Sequence, residues 1–174
     1  MKSVYNIEYQ FPKKELLEYF HQRYPIMKEW KTPEYFKEQW LANSDKNFIK
    51  GFKVDEELHE DPFLRKIATE FCEYYHIEDK FITQFLSIEP NEILPWHEDG
   101  VPASCCINCL LSEDNVPVEF EEDLYYYNVG LLNIRKKHRV SNQNKLRIMF
   151  RIVFYGHETT FEKIKNIIYA KDIS

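Results

Sequence analysis

Helices first and strands second: the sequence predicts an α+β fold, in which a β core carries helices on its outside. Two observations predict it. Up to about residue 80, apolar residues recur at helical spacing; beyond it they fall in short β-type runs separated by turn-type segments. A helical pattern then returns over 160–169.

The helical part comes in three pieces. Residues 13–24 place Leu16, Leu17, Phe20 and Tyr24 on one face. Thr32-Pro33-Glu34 opens a second helix, with Thr as cap and Pro at the first helical position, followed by Tyr35, Phe36, Gln39 and Trp40. Asp61-Pro62 opens a third by the same logic, carrying Leu64, Ile67, Ala68, Phe71 and Tyr75.

The strand part starts at Phe81. Phe81, Thr83, Phe85 and Ser87 alternate with Ile82, Gln84, Leu86 and Ile88, as the two faces of a strand do. Further strands are expected over 93–97, 103–111, 116–120, 124–129, 131–134 and 147–155. Many short strands with turn punctuation read as a sandwich or barrel. No repeat is visible, and four glycines and eight prolines leave little material for linkers, so 1–174 reads as one domain. Its parts are a mainly helical 1–80, a β core over 81–155 and a C-terminal helix within 156–174.

Composition narrows the function. A net charge of −6 disfavours non-specific nucleic-acid binding, which needs a basic face. The local basic run Arg135, Lys136, Lys137, His138 and Arg139 reads as a solvated turn. No apolar run approaches the roughly 20 residues of a membrane span. Residues 1–12 lack the basic start and apolar core of a signal peptide, so a cytoplasmic protein is expected. Four cysteines in 174 residues make no disulfide framework. Cys106 and Cys109 spell C-x-x-C, but positions i and i+3 of a strand face opposite sides, so buried reduced thiols are the better reading.

The chemistry gathers around Pro95-Trp96-His97-Glu98-Asp99-Gly100. His97 and Asp99 stand two apart at a strand end, so both point the same way and can meet one metal. His138, 41 residues downstream, is the third candidate ligand. Two His and one carboxylate form the facial triad of non-heme iron(II) oxygenases, which leaves coordination positions open for a 2-oxo acid and O₂. The far carboxylate of such a co-substrate needs a buried cation, for which Arg is best shaped. Arg147 follows His138 by nine residues and shares a strand face with Met149 and Arg151. Arg151 is the substitute anchor, or the partner of an anionic group on the substrate. Asn108, polar within an apolar strand, either lines the cofactor pocket or makes a structural hydrogen bond.

His97-Glu98-Asp99 within Leu94-Pro95-Trp96-His97-Glu98-Asp99, the segment His138-Arg139-Val140-Ser141-Asn142, and Arg147 together resemble the 2-oxoglutarate/iron(II) dioxygenase superfamily. The likeness is nearest in look to its aspartyl/asparaginyl β-hydroxylase-like and prolyl hydroxylase-like branches. It spans roughly 81–155 and implies a double-stranded β-helix, the jelly-roll or cupin architecture. It further implies iron(II), 2-oxoglutarate and O₂ as cofactor and co-substrates. The reaction it implies is hydroxylation with release of succinate and CO₂, with an amino-acid side chain, free or in a peptide or protein, as the favoured substrate. A small metabolite or nucleobase is the alternative substrate. A cupin-like metal-binding protein without oxygenase activity is the alternative class.

Other motifs read more plainly. His59-Glu60-Asp61 repeats the His-x-Asp triplet, but Asp61 is placed as a helix cap and His59 as a surface loop residue. His76-x-Glu78 reads as structural. Asn133 and Asn142 read as turn residues. Tyr125-Tyr126-Tyr127 reads as strand packing, with one Tyr able to reach cofactor or substrate.

Overall fold

The structure is a computed structural model, and residues 2–30, 51–99, 102–113, 116–141 and 144–174 are described. The helix expected after Thr32 lies outside the described residues, as does Asn142.

In chain order the strands are β1 (Val4–Asn6), β2 (Lys28–Glu29), β3 (Phe52–Val54), β4 (Phe81–Ile88), β5 (Ile93–His97) and β6 (Ala103–Leu110). They continue with β7 (Val118–Phe120), β8 (Asp123–Tyr125), β9 (Val129–Leu132), β10 (His138–Ser141) and β11 (Arg147–Tyr155). The helices are α1 (Lys13–Arg23), α2 (Pro62–Tyr75) and α3 (Phe161–Asp172). Two antiparallel sheets result, one ordered β1-β9-β6-β11-β4-β3-β2 and the other β5-β10-β7-β8. This is the double-stranded β-helix that the resemblance implies. No described helix is long and apolar enough to cross a membrane.

The larger sheet is buried on both faces. On β11, Ile148, Phe150, Ile152 and Phe154 join the core beneath the helices, while Met149 and Val153 join a second cluster between the sheets. The neighbouring β4 splits the same way, with Phe85 toward the helices and Leu86 and Ile88 toward the smaller sheet. Strand side chains alternate strictly, so one apolar run supplies two different cores. Much of the aromatic content packs at the helix–sheet boundary. Phe20 meets Phe85 edge-on at 5.5 Å, Phe11 meets Phe150 at 5.7 Å and stacks on Phe71 at 5.3 Å.

The helix ends follow their local sequence. Pro25 interrupts α1, and the chain continues as one 3₁₀ turn, Tyr24–Ile26. The Asp61 carboxylate accepts from the N–H groups of Phe63 and Leu64, both at 3.0 Å, with Pro62 in the first turn. His76 closes α2 in the left-handed region, φ 58°. The Thr160 hydroxyl accepts from Lys163 N at 3.1 Å at the start of α3.

Three features depart from the sequence reading. Strands β1, β2 and β3 widen the sheet from within the mainly helical first part; they are two or three residues long, too short to show a period, and exist by pairing. The expected strand over 124–129 is only Asp123–Tyr125. The basic run is not one solvated turn, because His138 and Arg139 belong to β10 and Arg139 is bound to Glu119 across the sheet at 2.6 Å.

Asp61→Ala should lower the unfolding free energy by about 1 kcal/mol, the usual worth of such a cap. Urea denaturation checks this, and metal affinity should be unchanged in the same variant.

Candidate metal centre

The smaller sheet sets the two histidines side by side. His97 ends β5 and His138 begins β10, and the two are direct cross-strand partners. Both side chains point inward, with ring centroids 4.2 Å apart. Phe120 of β7, the partner of His138 on its other side, stacks on the His138 ring at 5.4 Å. A β-bulge follows His138. Asp99 lies just past β5, its backbone N–H held by Ile134 O at 2.9 Å. Its carboxylate Oδ1 is 3.3 Å from His97 Nε2 and 3.8 Å from His138 Nε2. One ligand atom from each of the three residues lies within 4.8 Å of the others.

Hydrogen bonding decides which nitrogen of each ring is available. His97 Nδ1 is 2.7 Å from Pro95 O, and His138 Nδ1 is 2.8 Å from Lys136 O. A carbonyl only accepts, so each Nδ1 carries a proton, and Nε2 is the ring nitrogen that faces Asp99. Burial and the adjacent His97 ring push the His138 imidazole down to about 3, against the pull of Asp99, so it is neutral at ordinary pH. Burial acts to raise the Asp99 carboxyl, but the Arg151 guanidinium, the foremost opposing cause, outweighs it and holds it well below the usual carboxylate range. Two imidazole nitrogens and one ionised carboxylate, converging on one point, fit a divalent transition metal. Among the described residues this is the one such group of three.

The centre opens into a cavity of about 500 Å³ between the two sheets. Its walls are mainly apolar, among them Leu86, Leu94, Val118, Leu132, Val140 and Met149. Arg151 and Asn108 both line it and are buried. Arg151 donates from Nη2 to Asp99 Oδ2 at 3.0 Å and to Cys106 Sγ at 3.1 Å. Asn108 donates to the Tyr127 hydroxyl at 3.1 Å. Arg147 is fully buried on the same face of β11 and is not part of the cavity wall. Its Nη1 donates to Val116 O at 2.8 Å, and its Nη2 lies 3.5 Å from the Tyr127 hydroxyl, which does line the cavity.

The structure thus brings His97, Asp99, His138, Arg151 and Asn108 to one cavity and sets Arg147 behind Tyr127. The sequence reading left the choice among the three tyrosines open. Tyr127 is the one at the cavity, and Gly130 makes room for it, since a β-carbon there would stand 3.0 Å from the Tyr127 ring. Gln84 and His59 were missed. Gln84 had a signal, a polar residue at an inward position of an apolar strand. His59 is half-buried at the cavity rather than on a surface loop. Its turn is tied over β4 by Thr83 N to His59 O at 3.4 Å and Thr83 Oγ1 to Leu58 O at 2.7 Å.

The C-x-x-C pair is divided between the two cores, Cys109 toward the helices and Cys106 toward the cavity. Burial pushes the Cys72 and Cys109 thiols up to about 12 and raises Cys105 and Cys106 as well. All four are buried and unbridged. Iodoacetamide at pH 8 should modify none of them in the folded protein and all four in guanidinium chloride, as read by mass spectrometry.

No protein-family model and no curated protein matches this sequence. Solved structures match its fold. A prolyl hydroxylase from Trichoplax adhaerens, in complex with a peptide fragment of the hypoxia inducible factor oxygen degradation domain, superposes with a TM-score of 0.62 at 10% identity, covering 94% of this chain and 85% of that one. A Pseudomonas putida prolyl-4-hydroxylase superposes at 0.56 and 11% identity, covering 88% and 91%. HygX from Streptomyces hygroscopicus, with nickel, 2-oxoglutarate and hygromycin B bound, superposes at 0.51 and 9% identity, covering 90% and 83%. At such identities the likeness establishes the fold.

Proposed function

We propose that this protein is an iron(II)- and 2-oxoglutarate-dependent oxygenase that hydroxylates an organic substrate. The observation that carries the reading is the convergence of His97 Nε2, His138 Nε2 and an Asp99 carboxylate oxygen at the wall of an apolar cavity. The fold shared with prolyl hydroxylases supports it.

In this reading His97, Asp99 and His138 would hold the metal at the cavity wall. Bound iron with 2-oxoglutarate and O₂ would supply the chemistry that converts a C–H bond to C–OH, one oxygen atom of O₂ going to the hydroxyl and the other to the succinate formed as 2-oxoglutarate loses CO₂. The chain's own part is to orient and to exclude water. The carbonyls of Pro95 and Lys136 fix the two rings, and Arg151 fixes the carboxylate. The apolar walls keep solvent from the reacting carbon.

The two arginines divide the work. Arg151 touches Asp99 and so stands beside the metal position. A diacid that chelates by its 2-oxo acid end has its other carboxylate a chain's length away. Arg147, on the same strand face and in reach of the cavity through Tyr127, is the anchor for that far carboxylate, with the Tyr127 hydroxyl, which does line the cavity, as the donor nearest it. A peptide, protein or small-molecule substrate fits the cavity's open side.

Anaerobic titration with iron(II) and 2-oxoglutarate tests this. The wild-type protein should develop the weak visible charge-transfer band of the chelated complex. His97→Ala should lose it. Arg147→Ala should keep metal binding but need at least tenfold more 2-oxoglutarate. Metal binding without a band would favour a cupin-like protein that does not oxidise, and absence of metal binding would refute the reading.

A further inference from the structure

A polar row one residue wide crosses the inner face of the larger sheet. Arg151 of β11 pairs in register with Gln84 of β4 on one side and Asn108 of β6 on the other. All three line the cavity. The inward neighbours above and below are apolar or a buried thiol: Leu86 on β4, Met149 and Val153 on β11, Cys106 and Leu110 on β6. A core strand set has no packing reason to place an amide, a guanidinium and a second amide at one level.

The members of the row differ in how far they are satisfied. Asn108 is used at both ends, donating to Tyr127 and accepting from Cys106. Both hydrogen bonds of Arg151 leave from Nη2, and its buried Nε has no hydrogen-bond partner. Gln84 makes no side-chain hydrogen bond among the described residues and borders the cavity. The Gln84 amide is therefore a donor left over at the cavity, beside a guanidinium whose enclosed Nε has no partner. An orphaned donor in an apolar cavity is costly unless a ligand meets it.

Charge points the same way. Asp99 is the carboxylate that faces Arg151. A divalent ion in the triad, Asp99 and the chelating carboxylate of the co-substrate sum to zero, which leaves the Arg151 charge uncompensated beside them. The other carboxylate at the cavity, Glu98, is solvent-exposed and makes no ion pair with Arg151 among the described residues. A buried cation calls for an anion of its own.

We infer that the substrate carries a carboxylate, received by Arg151 with Gln84 as second donor, close to the carbon that is hydroxylated. This rests on the oxygenase reading above. It separates the substrate from amine-bearing or purely apolar compounds of the same size, and it gives Arg151 a second task beside orienting Asp99.

The test uses three six-carbon probes that differ only in the head group: hexanoate, hexanamide and hexylamine. Each is titrated anaerobically into the iron(II)–2-oxoglutarate complex, followed by calorimetry and by the shift of the visible band. Hexanoate should bind at least tenfold more tightly than the other two. Gln84→Leu should weaken hexanoate about fivefold, Arg151→Gln should remove the preference, and Arg151→Lys should retain part of it. If Arg151→Gln fails to form the band, Gln84→Leu, which contacts no triad residue, carries the comparison. Equal binding of the three probes, a preference for hexylamine, or a hexanoate preference untouched in both Arg151→Gln and Gln84→Leu would overturn the inference while the band, if present, upheld the oxygenase reading. Absence of the band in wild type would overturn both.

Discussion

The larger sheet is buried on two faces, and each face is buried against something different. Helices cover one side, where Phe85, Phe150 and Phe154 meet Phe11, Phe20 and Phe71. The smaller sheet covers the other, leaving a cavity. Because strand side chains alternate, the register of β11 decides both sides at once. A slip by one residue would send Arg147 and Arg151 beneath the helices and bring Phe150 and Ile152 into the cavity. The buried aromatic packing on the outer face therefore holds the cations on the inner one.

The smaller sheet does the same for the metal site. His97 and His138 face each other because β5 and β10 pair at that step, and the outer surface of the sheet braces the step. Trp96 and Arg139, the residues next to the two histidines, meet there with the guanidinium 4.9 Å from the ring, and Glu119 holds Arg139 in turn. Inside, backbone carbonyls two residues upstream hold both rings by Nδ1. Position and tautomer are thus set by strand geometry rather than by a separate shell of side chains.

Electrostatics of the centre follow from burial with few compensating groups. Asp99 stays ionised because the Arg151 guanidinium faces it, and Arg151 stays cationic because Asp99 offsets its burial. Removing either member of the pair would strand the other in an apolar wall, which is far more costly than losing a surface ion pair. Tyr127, Asn108 and Cys106 extend the contacts of this pair toward Arg147. Asp99, Arg151, Cys106, Asn108, Tyr127 and Arg147 therefore form one connected set.

Much of this was legible in the sequence. Period-two alternation marked β4 and β11, the Asp61-Pro62 cap marked one helix start, and His97, Asp99 and His138 stood out by residue type and spacing. Opposite faces for Cys106 and Cys109 followed from alternation alone. Strands β1, β2 and β3 were not legible, because two or three residues show no period and form only when an edge is offered to them. His59 was not legible as a cavity residue, because its position depends on where Thr83 ties its turn. Nor did sequence distinguish Arg147 from Arg151, which share a strand face; only the fold shows that one touches Asp99 and the other lies behind Tyr127. Local spacing determined which side chains share a face, since that depends on covalent geometry. Which face meets which, and so what each buried charge answers to, was decided by packing between strands far apart in the chain.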